Sequence, residues 1–299
     1  MNSILNGKNH KIVRTNIEDC MSAVDNIIGS QGFYTEVQIK DSRSGAILYH
    51  GHNTTVLPGR VAQLEELFDV PRNKEQHLLI NDTLVIPHSE NDNVIGNRSI
   101  RRTCNTFMIG AGAASTEVPQ KFYTPKNYET KLYKPIPFRL VPLNNDLSAT
   151  EQDNYRLRRI EQINGNDYVA YYGKKFNVGS VILEYNSSTY KPIESHTTPV
   201  DENDNSHPLS GGSVLAYVQF TLDITEEEVK EYYRITKGTI AGASMSELGL
   251  VLGADLPNAD DNNRRELAGA ELITKITSSL VDLSEEGSSR QVTYRIYAK

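Results

Sequence analysis

Val214, Ala216, Val218, Phe220, Leu222 and Ile224 occupy every second position across eleven residues, and this run constrains the fold most tightly. Alternate residues of a strand share one face, so the six predict a strand with one side on a core. Thr225-Glu-Glu-Glu228 follows with the pattern of a capping box, in which hydroxyl and carboxylate satisfy exposed backbone N–H groups. It predicts a helix from there to about Ile235. Further strands are predicted over 246–252, 272–277 and 291–297.

The rest of the chain has the same character. Asn154 to Ile163 and Tyr168 to Phe176 form two predicted strands joined at Asn164-Gly165-Asn166, a sequence suited to a tight hairpin turn. Val181 to Tyr185 gives another short strand, and 78–86 and 104–110 two more across a polar loop. Val37 and Ile39 alternate with polar neighbours, Asp41-Ser-Arg-Ser-Gly45 turns, and Ala46 to Tyr49 returns, which predicts a hairpin. Helical spacing occurs at Ile17, Met21, Val24, Ile27 and Ile28 before Gly29, and again at Val61, Leu64, Leu67 and Phe68 after Pro58-Gly59. Residues 111–150, rich in Pro, Asn and Tyr, hold no sustained period and are expected to form an extended arm or linker, with a polar loop at 186–212.

The expected fold class is therefore mainly β with a few short helices, in antiparallel sandwich-like sheets with long loops or arms. The expected division is an N-terminal helical segment (1–35), a hairpin, helix and strands (36–110), the arm (111–150) and a β-sandwich-like domain (151–299). The last of these is free to share one core with 36–110.

Composition narrows the function. A net charge of -7 argues against nucleic acid as a specific partner, because phosphate binding needs a clustered Lys/Arg surface. Arg98, Arg101 and Arg102 form a local basic strip, expected to be a solvated loop. Hydrophobic residues at 38% suit long polar loops or burial completed by neighbouring subunits. Cys20 and Cys104 are too sparse for a disulfide scaffold and are expected to be free thiols. No signal peptide is predicted in the first twenty residues, and no apolar stretch approaches the length of about twenty that spans a membrane.

Catalytic motifs fail at required positions. Gly110-Ala-Gly112-Ala-Ala-Ser115 follows a strand like a dinucleotide fingerprint, but Ser115 replaces the third glycine and Pro119 and Pro125 interrupt the helix. A close-packed turn is expected there instead. Gly242-Ala-Ser244-Met-Ser246 departs from a nucleophile elbow at its last position. His50 and His52, with His77 and His88 elsewhere, lack any metal-ligand spacing. Asp201, Asn203 and Asn205 open like a calcium loop, yet Ser206 and Gly212 stand where it needs Gly and Glu. A solvated loop with no metal is expected there, these three residues being candidates only for adventitious Ca²⁺, and no cofactor is expected.

Two stretches carry a family resemblance. Val37-Gln-Ile-Lys-Asp-Ser-Arg-Ser-Gly-Ala-Ile-Leu, followed by His52-Asn53 and Gly59-Arg60, resembles the opening of many tailed-bacteriophage virion proteins. The ending is similar to that of phage tail, baseplate and neck proteins. It runs through Ile224-Thr-Glu-Glu-Glu228, Ser246-Glu-Leu-Gly-Leu-Val-Leu-Gly253, Glu271-Leu-Ile-Thr-Lys-Ile-Thr277 and Val292-Thr-Tyr-Arg-Ile-Tyr297. The resemblance covers roughly 37–70 and 214–297, and it implies that the last three of these segments lie in one sheet.

It further implies a non-catalytic structural component of the virion, made in the host bacterial cytoplasm and assembling with itself and with other virion proteins. The last strand is then expected at a sheet edge or in a neighbour's sheet. Tyr294, Ile296 and Tyr297 on that strand and Tyr123, Tyr128 and Tyr133 on the arm are the interface candidates. A carbohydrate- or receptor-binding sandwich is the competing expectation, and a hydrolase with convergent carboxylates is the third.

Overall fold

The computed structural model describes residues 34–56, 59–60, 62–63, 79–81, 84–85, 100–117, 120–185, 188–189, 215–257, 264–284 and 289–298. The strands are, in order, β1 (Tyr34–Asp41), β2 (Ile47–His52), β3 (Thr54–Thr55), β4 (Leu79–Asn81), β5 (Leu84–Val85), β6 (Thr103–Gly110), β7 (Pro135–Ile136) and β8 (Arg139–Pro142). They continue with β9 (Tyr155–Ile163), β10 (Asn166–Lys175), β11 (Ile182–Tyr185), β12 (Ser188–Thr189), β13 (Leu215–Ile224), β14 (Ser244–Pro257), β15 (Arg265–Asp282) and β16 (Arg290–Ala298). Among the described residues, α1 (Ala149–Gln152) and α2 (Lys230–Lys237) accompany them, with helical residues also at 59–60 and 62–63 and a 3-10 turn at Leu143–Asn145. The fold is mainly β and antiparallel, in open sheets of sandwich-like form, as the alternation implied.

The chain divides into a larger unit, residues 36–179 and 220–294, and a smaller one that includes 180–219 and 295–299. The larger unit holds an eight-stranded sheet, β3-β15-β14-β6-β10-β8 along its main path, with β7 on β6 and β9 on β10. Its second sheet places residues 220–224 of β13 and 290–294 of β16 beside β1 and β2, in that order. Phe107 of β6 meets Phe138 edge-on at 5.0 Å and Phe176 at 6.3 Å, Phe176 stacks on Phe220 at 4.6 Å, and Phe220 stacks on Tyr294 at 5.3 Å. This run of rings joins the two sheets through one core. The far side of the eight-stranded sheet is also covered: Met108, Leu132, Leu140, Leu157, Val251 and Leu272 form a second cluster, against which Tyr232 and Ile235 of α2 pack. Covered on both faces, β6 and β14 are buried at consecutive positions, not at alternate ones.

The turns behave as their residues dictate. Asn164 and Gly165 both take positive φ, 52° and 80°, and Ile163 pairs with Asn166, a two-residue hairpin whose twist matches the strands. The Asp41 carboxylate accepts the N–H groups of Arg43 and Ser44 at 3.2 and 2.7 Å, closing the β1–β2 turn with Gly45 at φ 70°. Half of the expected capping box forms, with the Thr225 N–H on the Glu228 carboxylate at 2.7 Å. The helix nevertheless starts late, at Lys230. Val229 takes φ 74° and donates its N–H to the Phe138 carbonyl at 2.7 Å, and a β-branched residue there interrupts helical backbone.

Several expectations are corrected. Residues 111–150 are part of the larger unit: β7 and β8 lie within them, α1 begins at their end, and Leu132, Ile136, Phe138 and Leu140 are buried. Their order comes from contacts distant in sequence, which leave no local period. The 78–86 strand is two short ones, β4 paired with β5. The Glu247, Glu271 and Val292 segments do not share one sheet: β14 pairs with β15, while β16 lies between β13 and β1. With a neighbour on each side, β16 is not an edge strand. Arg102 is no solvated residue; it pairs with Glu271 at 2.8 Å, both side chains buried. The predicted helix over 17–28, most of the one after Gly59, Cys20, Arg98, His77, His88 and almost all of the 186–212 loop lie outside the described residues.

In the smaller unit β11 pairs with β12 and with β13. Tyr217 sits 5.1 Å from Tyr297 and donates its hydroxyl to Glu184 at 3.1 Å.

Because Phe107 is central to the ring series, Phe107→Ala is expected to lower unfolding stability by about 3–5 kcal/mol. Ile160→Ser, on a side chain 52% exposed, should change it by less than about 0.5 kcal/mol. Urea denaturation followed by tyrosine fluorescence measures both.

Candidate functional site: an anchored aromatic surface

Residues 120–134 leave the sheet and return to it, and the chemistry that holds them is unusual for a surface segment. Glu247, on β14, is a carboxylate with no solvent exposure, directly opposite Gly110 where β6 ends. Its Oε1 accepts the N–H groups of Gly112 at 2.6 Å and Lys134 at 3.0 Å, and its Oε2 accepts that of Tyr133 at 2.5 Å. Neighbouring Ser246 accepts the N–H groups of Ala113 and Ala114 at 3.0 and 3.2 Å. Adjacent residues of a regular strand face opposite ways. Here the register slips between Met245 and Glu247, so both side chains reach the same departing segment.

Those contacts account for the two glycines. A Cβ at Gly110 would lie 2.7 Å from the Lys134 carbonyl oxygen and 2.9 Å from Glu247 Oε1; at Gly112 it would lie 2.8 Å from both Oε1 and the Lys134 nitrogen. The close-packed turn expected from Gly110-Ala-Gly112 is what forms, with a carboxylate in its hollow. Ser246 is a backbone anchor.

Lys275, on β15, supplies the compensating charge and is fully buried. Its ammonium lies 3.4 Å from Glu247, donates to Glu129 at 2.9 Å and to the Lys131 carbonyl at 3.2 Å, and sits 3.1 Å from the centroid of the Tyr133 ring. The Tyr133 hydroxyl closes the circuit by donating to Glu129 at 2.5 Å. Burial pushes the Glu129 carboxyl up, but the Tyr133 hydroxyl and the Lys275 ammonium outweigh it and hold the group below its ordinary value. Burial, then the Glu129 carboxylate, pushes the Tyr133 phenol up. With its oxygens and ammonium committed to partners, the cluster is arranged to hold a segment and not to move protons.

Outside the anchor the segment shows aromatic side chains to solvent: Phe122 is 59% exposed, Tyr123 55%, Tyr128 63% and Tyr133 41%. Tyr123 and Tyr133 lie 5.8 Å apart, and the Lys126 ammonium lies 5.7 Å from the Tyr128 ring. Three of the six interface candidates are thus brought together. Tyr297 and Ile296 are half-buried in the smaller unit. Tyr294 is buried in the core against Phe220 and offers no surface, because it stands on the covered face of its strand, while Gln291 and Arg295 on the same strand are exposed. Asp201, Asn203 and Asn205 lie outside the described residues. Sequence reasoning missed Glu247, Lys275 and Glu129; the available signal was a lone charged residue inside each apolar strand, Glu247 before Leu-Gly-Leu and Lys275 in Leu-Ile-Thr-Lys-Ile.

Other polar clusters are also tied off. Glu228 accepts from the Tyr155 hydroxyl at 2.6 Å and from Lys174 at 2.8 Å, while Arg139 grips Glu231 of α2 through two bonds at 2.8 and 3.0 Å. A shallow surface depression is lined by Arg158, Arg264 and Arg265 together with Asp153 and Glu266. Cys104 is a free thiol that desolvation pushes up to about 12, far from a reactive thiolate at neutral pH. Among the described residues no three His, Cys, Asp or Glu side chains are grouped to hold a metal, and no helix is long and apolar enough to cross a membrane.

Glu247→Ala leaves the Gly112, Tyr133 and Lys134 N–H groups without their acceptor and takes one of two carboxylates from the Lys275 ammonium, and is expected to cost about 3–5 kcal/mol in urea denaturation. Acid should act on the same anchor. A carboxyl whose folded value is depressed stabilises the protein above its unfolded value, about 4.3, and that contribution disappears as pH falls through the folded value. Glu129 is that carboxyl, so the protection factor of its own amide, bonded to the Lys126 carbonyl at 3.1 Å, should fall on acidification before those of β6. Equal protection of both down the whole acid range would contradict the assignment.

Residues 76–292 match the model of a family of unknown function (DUF7208). No curated protein and no solved structure matches the chain. With nearly three-quarters of its length inside that one match, Glu247, Lys275 and the segment they anchor included, the chain belongs to the DUF7208 family.

Proposed function

We propose that this protein is a non-catalytic structural subunit of a tailed-phage virion, assembling with copies of itself and with other proteins of the tail, baseplate or neck. One observation carries the assembly reading: an exposed aromatic segment, 120–134, is fastened by a buried carboxylate and ammonium. Tyrosine and phenylalanine dominate the centres of protein interfaces because they bury large apolar area with little rotamer entropy. Holding them in place before contact removes much of the ordering cost of association. The virion assignment rests on the resemblance of 37–70 and 214–297 described above.

A second reading, glycan or receptor binding, is favoured by the same exposed Tyr123 and Tyr133 rings beside the Glu129 carboxylate. The two differ in what the rings meet.

Light scattering of the native protein over a range of concentrations separates them. Assembly predicts a mass that grows to a multiple of 33.4 kDa. Replacing Phe122, Tyr123 and Tyr128 together by Ala should weaken that association on the order of a hundredfold, as loss of interface anchors does. A compact monomer at every concentration would sink self-assembly and turn attention to glycan binding.

A further inference from the structure

The charge of the anchored segment differs in sign from the protein that carries it. Residues 120–134 contain four lysines and one glutamate, a formal +3 in a chain of -7, so the remaining residues carry -10. The one acid of the segment, Glu129, is turned inward onto Lys275 and Tyr133. Lys121, Lys126 and Lys134 are exposed among Phe122, Tyr123, Tyr128 and Tyr133. Lys121 has an exposed neighbour, Glu117 at 3.2 Å, and such a solvated pair holds little energy. The surface is thus aromatic and basic on an acidic body.

We infer that this surface docks on an acidic face of a second copy of the chain, in a head-to-tail contact. The inference rests on the assembly reading above and adds the partner and the symmetry to it. Charge complementarity selects the partner: a basic patch is drawn to charge of opposite sign, and the rest of every other copy carries a formal -10. Sign also selects the symmetry. A two-fold contact centred on the patch would press lysines against lysines, an arrangement that costs several kcal/mol. A patch that cannot meet itself must meet a different face, and where that face lies away from the patch, repeating the contact from copy to copy closes a ring or runs on as a filament. The aromatic side chains provide the buried area, and the lysines set the orientation and the encounter rate.

Sedimentation velocity of the full chain, at low and at high NaCl, tests this with Lys126→Glu/Lys134→Glu and Lys126→Arg/Lys134→Arg beside the wild type. The wild type should pass beyond the dimer at low salt and dissociate as salt is raised, since exposed charges are screened over about 10 Å at 0.1 M. The Glu variant should assemble on the order of tenfold more weakly with a shallower salt slope, while the Arg variant behaves as wild type. Circular dichroism melting confirms that all three fold. Equal assembly of wild type and Glu variant would overturn the inference and leave the assembly reading standing, with its contact elsewhere. Growth that stops at a dimer would overturn the head-to-tail arrangement. A wild type that stays monomeric but binds a fluorescent single-stranded oligonucleotide, more weakly as salt rises, would replace the second copy with nucleic acid. A monomer that binds nothing would overturn both readings.

Discussion

An ammonium placed inside a β-sheet must find acceptors for its three protons and a compensating charge, or shed a proton. Lys275 meets that demand with the Glu129 and Glu247 carboxylates, the Lys131 carbonyl and the face of Tyr133. Only Glu247 and the lysine itself belong to the strands; the other partners lie between 129 and 133. The strands alone therefore leave the ammonium short of hydrogen-bond acceptors, and drawing that segment down onto them supplies the rest. Gly110 and Gly112 follow from the same requirement, since a side chain at either would displace the carboxylate or the returning backbone. The Met245–Glu247 register slip follows too, because it brings Ser246 and Glu247 to bear on one segment.

How far the sequence discloses this depends on whether the controlling contacts are near or distant along the chain. The hairpins at Asp41–Gly45 and Asn164-Gly165 were legible because the residues that demand a left-handed backbone sit in the turn itself. On β13, Phe220, Leu222 and Ile224 are buried and Gln219 and Asp223 exposed, so one covered face wrote a two-residue period. The same logic hides β6 and β14. With both faces covered their apolar runs lose alternation, and β14 extends to Pro257, well beyond the expected Leu252. Residues 111–150 failed to declare themselves for a related reason. Leu132, Ile136 and Phe138 are held by strands far away in sequence, and Pro, Asn and Tyr gave no period to find. The α2 start shows a local signal overruled, as Val229 bonds to Phe138 and delays the helix that Thr225 and Glu228 announce.

The site was half legible. Tyr123, Tyr128 and Tyr133 stood out as tyrosines in an apparently aperiodic segment, and the structure does bring them to one surface. Tyr294 shares their composition and has the opposite fate, because the ring faces the core. Residue type alone does not separate a core tyrosine from a contact tyrosine; what packs on the face where it stands does. The anchor was less visible still, since Glu247 and Lys275 are single charges in apolar strands and Glu129 lies 146 residues from its partner. Their joint meaning exists only once β14 and β15 pair.

The core and the surface are linked through Glu129. Were the segment free, its glutamate would stand in solvent among the lysines and moderate their charge. The buried ammonium takes that carboxylate for itself, and the Tyr133 hydroxyl fixes it there. What remains outside is lysine and aromatic side chain, held on a fixed backbone by Glu247. The electrostatic character of the exposed segment is thus set from inside the fold: the charge buried on β15 decides which residues of 120–134 face outward, and through them which kind of surface can meet it.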